Sequence, residues 1–299
     1  MTIAPDVAAL LADEALLGLP ALSSLSPAAA RAQDAWLQQR RRAGIAVPQV
    51  SSAEDMTLAG VPVRVVTPLG DGPLPVVLHI HGGGWVLGSP ETYLLVVRRL
   101  AIGVGAVVVD IDYRLAPEHP FPAGLDDCWA VLQEVAAWGR PVAVAGDSGG
   151  AAIAAALTFR VRDAGLRLAG QLLVYPSVSL VQAWPSWREF RSGAGLDAAD
   201  SRWFADCWVP RIADRGRPLV SPYEVTSLVG VPPAVVAVAE VDPLRDGGLA
   251  YAERLRAEGV ATTVVIATGQ VHGYLTMPGL VGAERAVVAA HAALRTLLR

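Results

Sequence analysis

The chain has 299 residues, 53% of them hydrophobic and 17% charged, with a formal net charge of −4. This composition excludes a disordered chain, and at this length folding buries about three quarters of the unfolded surface, so a deep core is expected. The mild acidity offers nothing to nucleic acid, and two cysteines, Cys128 and Cys207, make neither a disulfide framework nor a metal-binding spacing.

The N-terminal stretch MTIAPDVAALLADEALLGLP carries acids early and no basic residue before Arg31. It does not read as a secretory signal, and a cytoplasmic protein is the expectation. Residues 1–45 read as two helices. The second has Ser26 as N-cap, Pro27 at the first helical position and Gly44 beyond its end. The basic cluster Arg40–Arg42 then reads as a solvated helix end. MTLAGVPVRVVTP reads as a hairpin turning near Gly60. From there apolar runs alternate with helical stretches. PVVLHIH, AVVVDIDY, VAVAG, GQLLVYPSV, AVVAVAEVD and TTVVIAT are expected strands. Helices are expected near 91–102, 122–138, 149–164, 246–258 and 282–298. Val-rich runs apolar on both faces imply strands covered on both sides, hence a mostly parallel sheet between helices: an α/β fold. The uncharged run 168–187 is broken by Pro, Gln, Ser and Gly, so no membrane span is expected. Between 178 and 234 the alternation stops. This connection holds four of the eight tryptophans, Trp184, Trp187, Trp203 and Trp208. An insertion at the strand ends of such a sheet lies where ligands bind, and residues 180–218 are read as a cap.

The stretch VAVAGDSGGAAIAAAL, 142–157, places Ser148 between a Val-rich strand and an Ala-rich helix. Gly-Asp-Ser-Gly-Gly also surrounds the nucleophile of trypsin-like proteases, but those are all-β with the order His, Asp, Ser. Strand, sharp turn and helix instead make a nucleophile elbow. Gly146 and Gly150 let strand and helix approach closely around a strained serine, and the helix N-terminus points free N–H groups at developing negative charge. An acid and then a histidine must follow. His291 sits inside the last helix and reads as a packing or surface residue, which leaves His272, just past the last strand. Asp242 stands at a strand tip before Pro243 and is preferred to Glu240 on the same face; Asp246 is expected to cap the next helix. LHIHGGGWVLG, 78–88, supplies a glycine loop whose backbone can come close to a substrate. With Gly149 it forms a candidate oxyanion hole. His79 and His119 read as satisfied polar residues of the core.

HGGGW at 81–85, YRLAPEHPFPAGLDD at 113–127, GDSGG at 146–150, DPLRD at 242–246 and HGY at 272–274 stand in the order that resembles the hormone-sensitive lipase-like esterases, bacterial family IV. The resemblance spans about 45–299. It implies an α/β-hydrolase fold over 46–299 with a helical cap made by 1–45 and by the insertion at about 180–218. It implies Ser148 as nucleophile, His272 as general base and acid, Asp242 as the orienting acid, and Gly83, Gly84 and Gly149 as oxyanion donors. His81 would hold the glycine loop, and Arg114 and Glu118 would shape the ground beneath the site. Trp85, Trp203 and Tyr274 are candidate substrate-binding residues. No metal or organic cofactor is implied. The partner is a small-molecule ester with short-to-medium acyl chains, and a homodimer through the last strand is common in the family. Gly149 stands where the family usually has Ala, and Tyr274 where Phe is commoner; the first departure predicts a looser elbow. Acyl transfer, amide or lactone cleavage would use the same triad, and a non-catalytic ligand-binding relative of the fold is the other alternative.

Overall fold

The structure is a computed structural model that describes residues 2–70 and 72–299. Two helices, α1 (Pro5–Ala15) and α2 (Pro27–Arg41), precede the sheet. Ser26 Oγ accepts the N–H of Ala29 at 3.3 Å, the cap expected of it. The hairpin β1 (Ser52–Leu58) and β2 (Val61–Thr67) follows, then β3 (Val76–Ile80), α3 (Leu94–Val104), β4 (Val107–Ile111), α4 (Ala123–Ala136), β5 (Val142–Asp147), α5 (Ser148–Asp163) and β6 (Gly170–Val174). The long connection holds a short helix α6 (Ser186–Glu189) and α7 (Ala198–Trp208). The chain closes with β7 (Ala234–Val241), α8 (Arg245–Ala257), β8 (Thr262–Val271) and α9 (Val281–Leu297).

The eight strands form one sheet in the order β1-β2-β4-β3-β5-β6-β7-β8. Strands β3 to β8 run parallel; β2 is antiparallel to β4, and β1 to β2. Every residue of β3, β4, β5 and β6 is buried, as their uninterrupted Val, Leu and Ala runs require when helices cover both faces. One core cluster contains Leu78, Val144 and Ile153; the other contains Val77, Ala145 and Leu294. Successive β-strand side chains thus feed opposite cores. The last strand runs to Val271 rather than ending near 268. An irregularity between Ala239 and Val241 lets β7 and β8 stay paired to Val241↔Val271, which carries the chain directly into His272.

The N-terminal helices are fastened by arginines. Arg41 forms a two-pronged pair with Glu14, at 2.7 and 2.8 Å, and both side chains are largely covered. Arg42 pairs with Glu91. Arg41 and Arg42 of the cluster expected as a solvated helix end are therefore a clamp, because the fold brings Glu14 and Glu91 within their reach, while Arg40 is exposed as expected. Arg31 donates to the carbonyls of Val86 and Ala116 and to both carboxylate oxygens of Glu118. Arg114 grips Asp127 in the same segment. His79 is buried with Nδ1 at 2.7 Å from Asp110. His119, expected in the core, is exposed instead, because the segment around it lies on the surface. Cys128 is buried and Cys207 half-buried, both free.

His291 is buried on α9, and its ring occupies the space left open by Gly103 of α3. Burial, aided by repulsion from Arg99, pushes its pKa down to about 4; burial does the same to His81. In the unfolded chain an imidazole protonates near 6.5, so between about pH 6.5 and 4 the unfolded state binds more protons. The contribution of these groups to stability is constant above about pH 7 and falls as the pH drops towards 4. The variant His291→Leu should lose roughly 1–2 kcal/mol less than the wild type between pH 7 and 5. Urea unfolding at the two pH values measures this, and equal losses would show that His291 is not kept neutral by the fold.

Candidate active site

The turn between β5 and α5 places Ser148 at φ +52°, a left-handed backbone rare for a residue with a side chain. The turn is possible because its flanks are glycines. A Cβ on Gly146 would lie 2.6 Å from the carbonyl of Gly150, and one on Gly150 would collide with the carbonyls of Ile80 and His81. Ser148 Oγ lies 2.9 Å from His272 Nε2, and His272 Nδ1 lies 2.9 Å from Asp242 Oδ2. Asp242 is fully buried, and its other oxygen accepts the N–H of Leu244 at 2.7 Å. Asp246 does not cap α8. It sits inside the first turn and accepts the N–H of Ser186 at 2.9 Å, tying the long connection to the helix. Glu240 accepts the N–H of Gly269 at 2.7 Å, outside this chain of bonds. The arrangement can move a proton from a serine hydroxyl to an imidazole held in one tautomer by a carboxylate.

Beside Ser148, the loop after β3 turns through Gly83 at φ +100° and Gly84 at φ +58°. The N–H of Gly82 is consumed by Asp147 Oδ1 at 2.8 Å and by the Tyr93 hydroxyl at 3.0 Å. Among the described residues the N–H groups of Gly83, Gly84 and Gly149 meet no acceptor, and all three residues border the same cavity. Three unpaired amides beside a serine hydroxyl can hold a negatively charged oxygen. His81 lies beneath: it stacks on Tyr113 at 4.4 Å and its Nδ1 bonds the Gly82 carbonyl at 2.8 Å. With its pKa near 4 it is a neutral buttress of the loop.

Asp147 is the residue that sequence reasoning passed over. It is buried, and besides the Gly82 N–H it accepts the hydroxyls of Tyr93 at 3.0 Å and Tyr175 at 3.1 Å. Burial raises its carboxyl above the usual range, against these hydrogen bonds. The signal available was positional: Asp147 and Tyr175 stand at the carboxyl ends of neighbouring parallel strands, where sites on such sheets form.

The cavity over Ser148 and His272 holds about 200 Å³. Its walls include Leu37 and Gln38 of α2, Trp85, Phe204 of α7, and Met277. Trp85 is on the wall, with its indole N–H donated to the Gly149 carbonyl at 2.9 Å and its ring stacked on Trp208 at 3.9 Å. Trp203 is not on the wall. On α7 its neighbour Phe204 faces the cavity, and Trp203 packs alongside at 5.2 Å between rings; consecutive helix positions point about 100° apart. Tyr274 is also off the wall, buried edge-on against Tyr175 at 5.1 Å. Among the described residues no group of three or more His, Cys, Asp or Glu side chains is placed to hold a metal ion.

Gly149 is not loosely packed. A Cβ there would lie 2.9 Å from the Trp85 ring, which is itself stacked on Trp208. Adding a methyl gains less than about 1 kcal/mol of helix propensity in a first turn, whereas overpacking costs about 1–3 kcal/mol. Gly149→Ala should therefore lose roughly 1–2 kcal/mol in urea unfolding and alter the tryptophan emission. A gain in stability would show that the stacked indoles have room to retreat.

An alpha/beta hydrolase fold family profile matches residues 77–276. Esterase LipI of Mycobacterium tuberculosis is 45% identical over 222 residues, 70% of this chain and 68% of LipI. Carboxylesterase NlhH of the same species is 43% identical over 230 residues, 73% of this chain and 72% of NlhH. Among solved structures, the hyperthermophilic esterase from Pyrobaculum calidifontis superposes with a TM-score of 0.94 at 34% identity, covering 99% of each chain.

Proposed function

The chain belongs to the alpha/beta-hydrolase-fold esterases and is a carboxylic ester hydrolase; from that premise we propose that it is a hormone-sensitive lipase-like enzyme cleaving short-to-medium acyl esters at Ser148. The observation that supports this reading most is the unbroken hydrogen-bonded chain Asp242–His272–Ser148 at the floor of a cavity whose nearest free donors are three backbone amides.

In this reading His272 Nε2 takes the Ser148 proton as Oγ attacks the ester carbonyl. The oxyanion accepts the N–H groups of Gly83, Gly84 and Gly149, each worth about 2.7–4 kcal/mol by comparison with a single donor removed from another serine hydrolase. The alcohol leaves with the proton from His272, and a water repeats the cycle on the acyl-enzyme. Asp242 keeps the proton on Nδ1 and steadies the imidazolium without taking that proton. The acyl range follows from space: about 200 Å³ is below the roughly 300–1,000 Å³ of sites for drug-sized ligands. Residues 1–45 and about 180–218 act as the cap, since α2 and α7 both contribute to the cavity wall.

Among the described residues no helix is long and apolar enough to cross a membrane. Two free thiols fit a reducing compartment, and the cytoplasm is the proposed location. A homodimer through β8 is the proposed assembly: β8 is an edge strand with Ile266 53% exposed, and Val288 of the neighbouring α9 is 66% exposed. Light scattering should give twice the chain mass for the wild type and the chain mass for Ile266→Lys; a monomeric wild type would refute the pairing.

Hydrolysis of p-nitrophenyl acetate, butyrate, octanoate and palmitate tests the catalytic reading. The wild type should prefer the shorter esters, and Ser148→Ala should lose activity by about 10⁶-fold, as in other triads. Equal activity in the variant would remove Ser148 from the mechanism.

A further inference from the structure

One wall of the cavity takes no part in the ester chemistry. Asp34, Leu37, Gln38 and Arg41 line it from α2, spaced i, i+3, i+4 and i+7 on one helix face. Thr276, from the turn after His272, and Asp200, from α7, complete it. Gln38 Nε2 donates to Asp34 Oδ1 at 3.2 Å and reaches Thr276 Oγ1 at 3.4 Å. Among the described residues no donor reaches Asp34 Oδ2. The cation on this face is already engaged: Arg41 spends its Nε and a terminal nitrogen on Glu14 and forms no ion pair with Asp34. Asp200 Oδ1 accepts the N–H of Ser23 at 2.8 Å. The wall therefore presents two carboxylates and one guanidinium whose charge Glu14 neutralises.

Asp34 is half-buried on the cavity wall, and a carboxylate partly withdrawn from water with no cation beside it is disfavoured. Burial accordingly holds the Asp34 carboxyl above its usual range, with only Gln38 and the more distant Arg41 opposing the shift. An uncharged ester offers nothing to such a group, because its carbonyl and its leaving oxygen are served at the floor by the amides, Ser148 and His272. A cation on the substrate would supply both the missing charge and, where it bears N–H groups, the missing donor.

We propose that this wall is a subsite for a positively charged ammonium or guanidinium group on the ester substrate, with Asp34 as its counter-ion. The proposal rests on the esterase reading of the same cavity and narrows it: the preferred esters carry a cation away from the scissile bond.

The test compares each cationic ester with its uncharged carbon isostere. Butyrylcholine is paired with 3,3-dimethylbutyl butyrate, which places the charge on the alcohol. p-Nitrophenyl 4-(trimethylammonio)butyrate is paired with p-nitrophenyl 5,5-dimethylhexanoate, which places it on the acyl group. In the wild type one of the two cationic esters should exceed its isostere by about tenfold in kcat/KM, equivalent to about 1.4 kcal/mol. That ratio should collapse towards one in Asp34→Asn and persist in Asp34→Glu. Ratios near one for both pairs, or a preference that survives Asp34→Asn, would overturn the subsite. Failure of the esterase reading itself has a different signature, since neither isostere would then be hydrolysed.

Discussion

The site depends on one buried carboxylate that joins pieces of chain far apart in sequence. The backbone of Asp147 ends β5 and opens α5, so it sets the turn that presents Ser148. Its side chain accepts the N–H of Gly82 and the hydroxyls of Tyr93 and Tyr175. The glycine loop, the start of α3 and the end of β6 are thereby fixed relative to the serine. Leaving any of these donors without an acceptor would cost about 1–3 kcal/mol for the buried group. A network satisfied at all its members is rigid, and rigidity is what free amides need if they are to meet a developing charge without rearranging.

A second constraint couples the floor of the cavity to its roof. Gly149 has no side chain, so the Trp85 indole lies against it and donates to its carbonyl. Trp208, the last residue of α7, stacks on that indole. The departure from the family's usual Ala, expected to loosen the elbow, is filled by an aromatic ring. Gly84 makes the matching approach to Phe204, one turn back on α7. The two glycines thus admit side chains from the long connection, and α7 is seated by packing on backbone. The N-terminal helices reach the same place through Arg31, which donates to the carbonyls beyond the glycine loop, while Arg41 ties α2 to Glu14 of α1.

These attachments give the cavity two chemically different sides. The floor is built from strand ends and a helix N-terminus, where free N–H groups and the imidazole chain come from the sheet. The opposite wall is built from α2 and α7, whose side chains do not participate in the ester reaction. A floor made of backbone amides suits any acyl group, so discrimination among esters falls to the helical wall. The carboxyl groups of Asp34 and Asp200 lie on that wall and give it its charge.

By itself the sequence determined the strands, the sharp turn at Ser148 and the three residues that the fold joins as the hydrogen-bonded chain Asp242–His272–Ser148. Val-rich runs apolar on both faces can only be buried strands, and Gly146 and Gly150 leave Ser148 one kind of turn. Chain order and the strand tips then select Asp242 and His272. These are local facts, fixed by backbone sterics and by which residues lie next to one another. What the sequence left open depends on how distant segments meet. Trp203 and Phe204 are equally good cavity residues on paper, and only the seating of α7 turns one inward. Asp246 reads as a helix cap until Ser186 arrives beside it. Arg41 reads as solvated until the fold brings Glu14 of α1 beside it. Asp34 sits on a weakly patterned helix with no local sign that a cavity lies against it. Tertiary structure decided these because a side chain's partner can be anywhere in the chain, whereas a turn's geometry is set within a few residues.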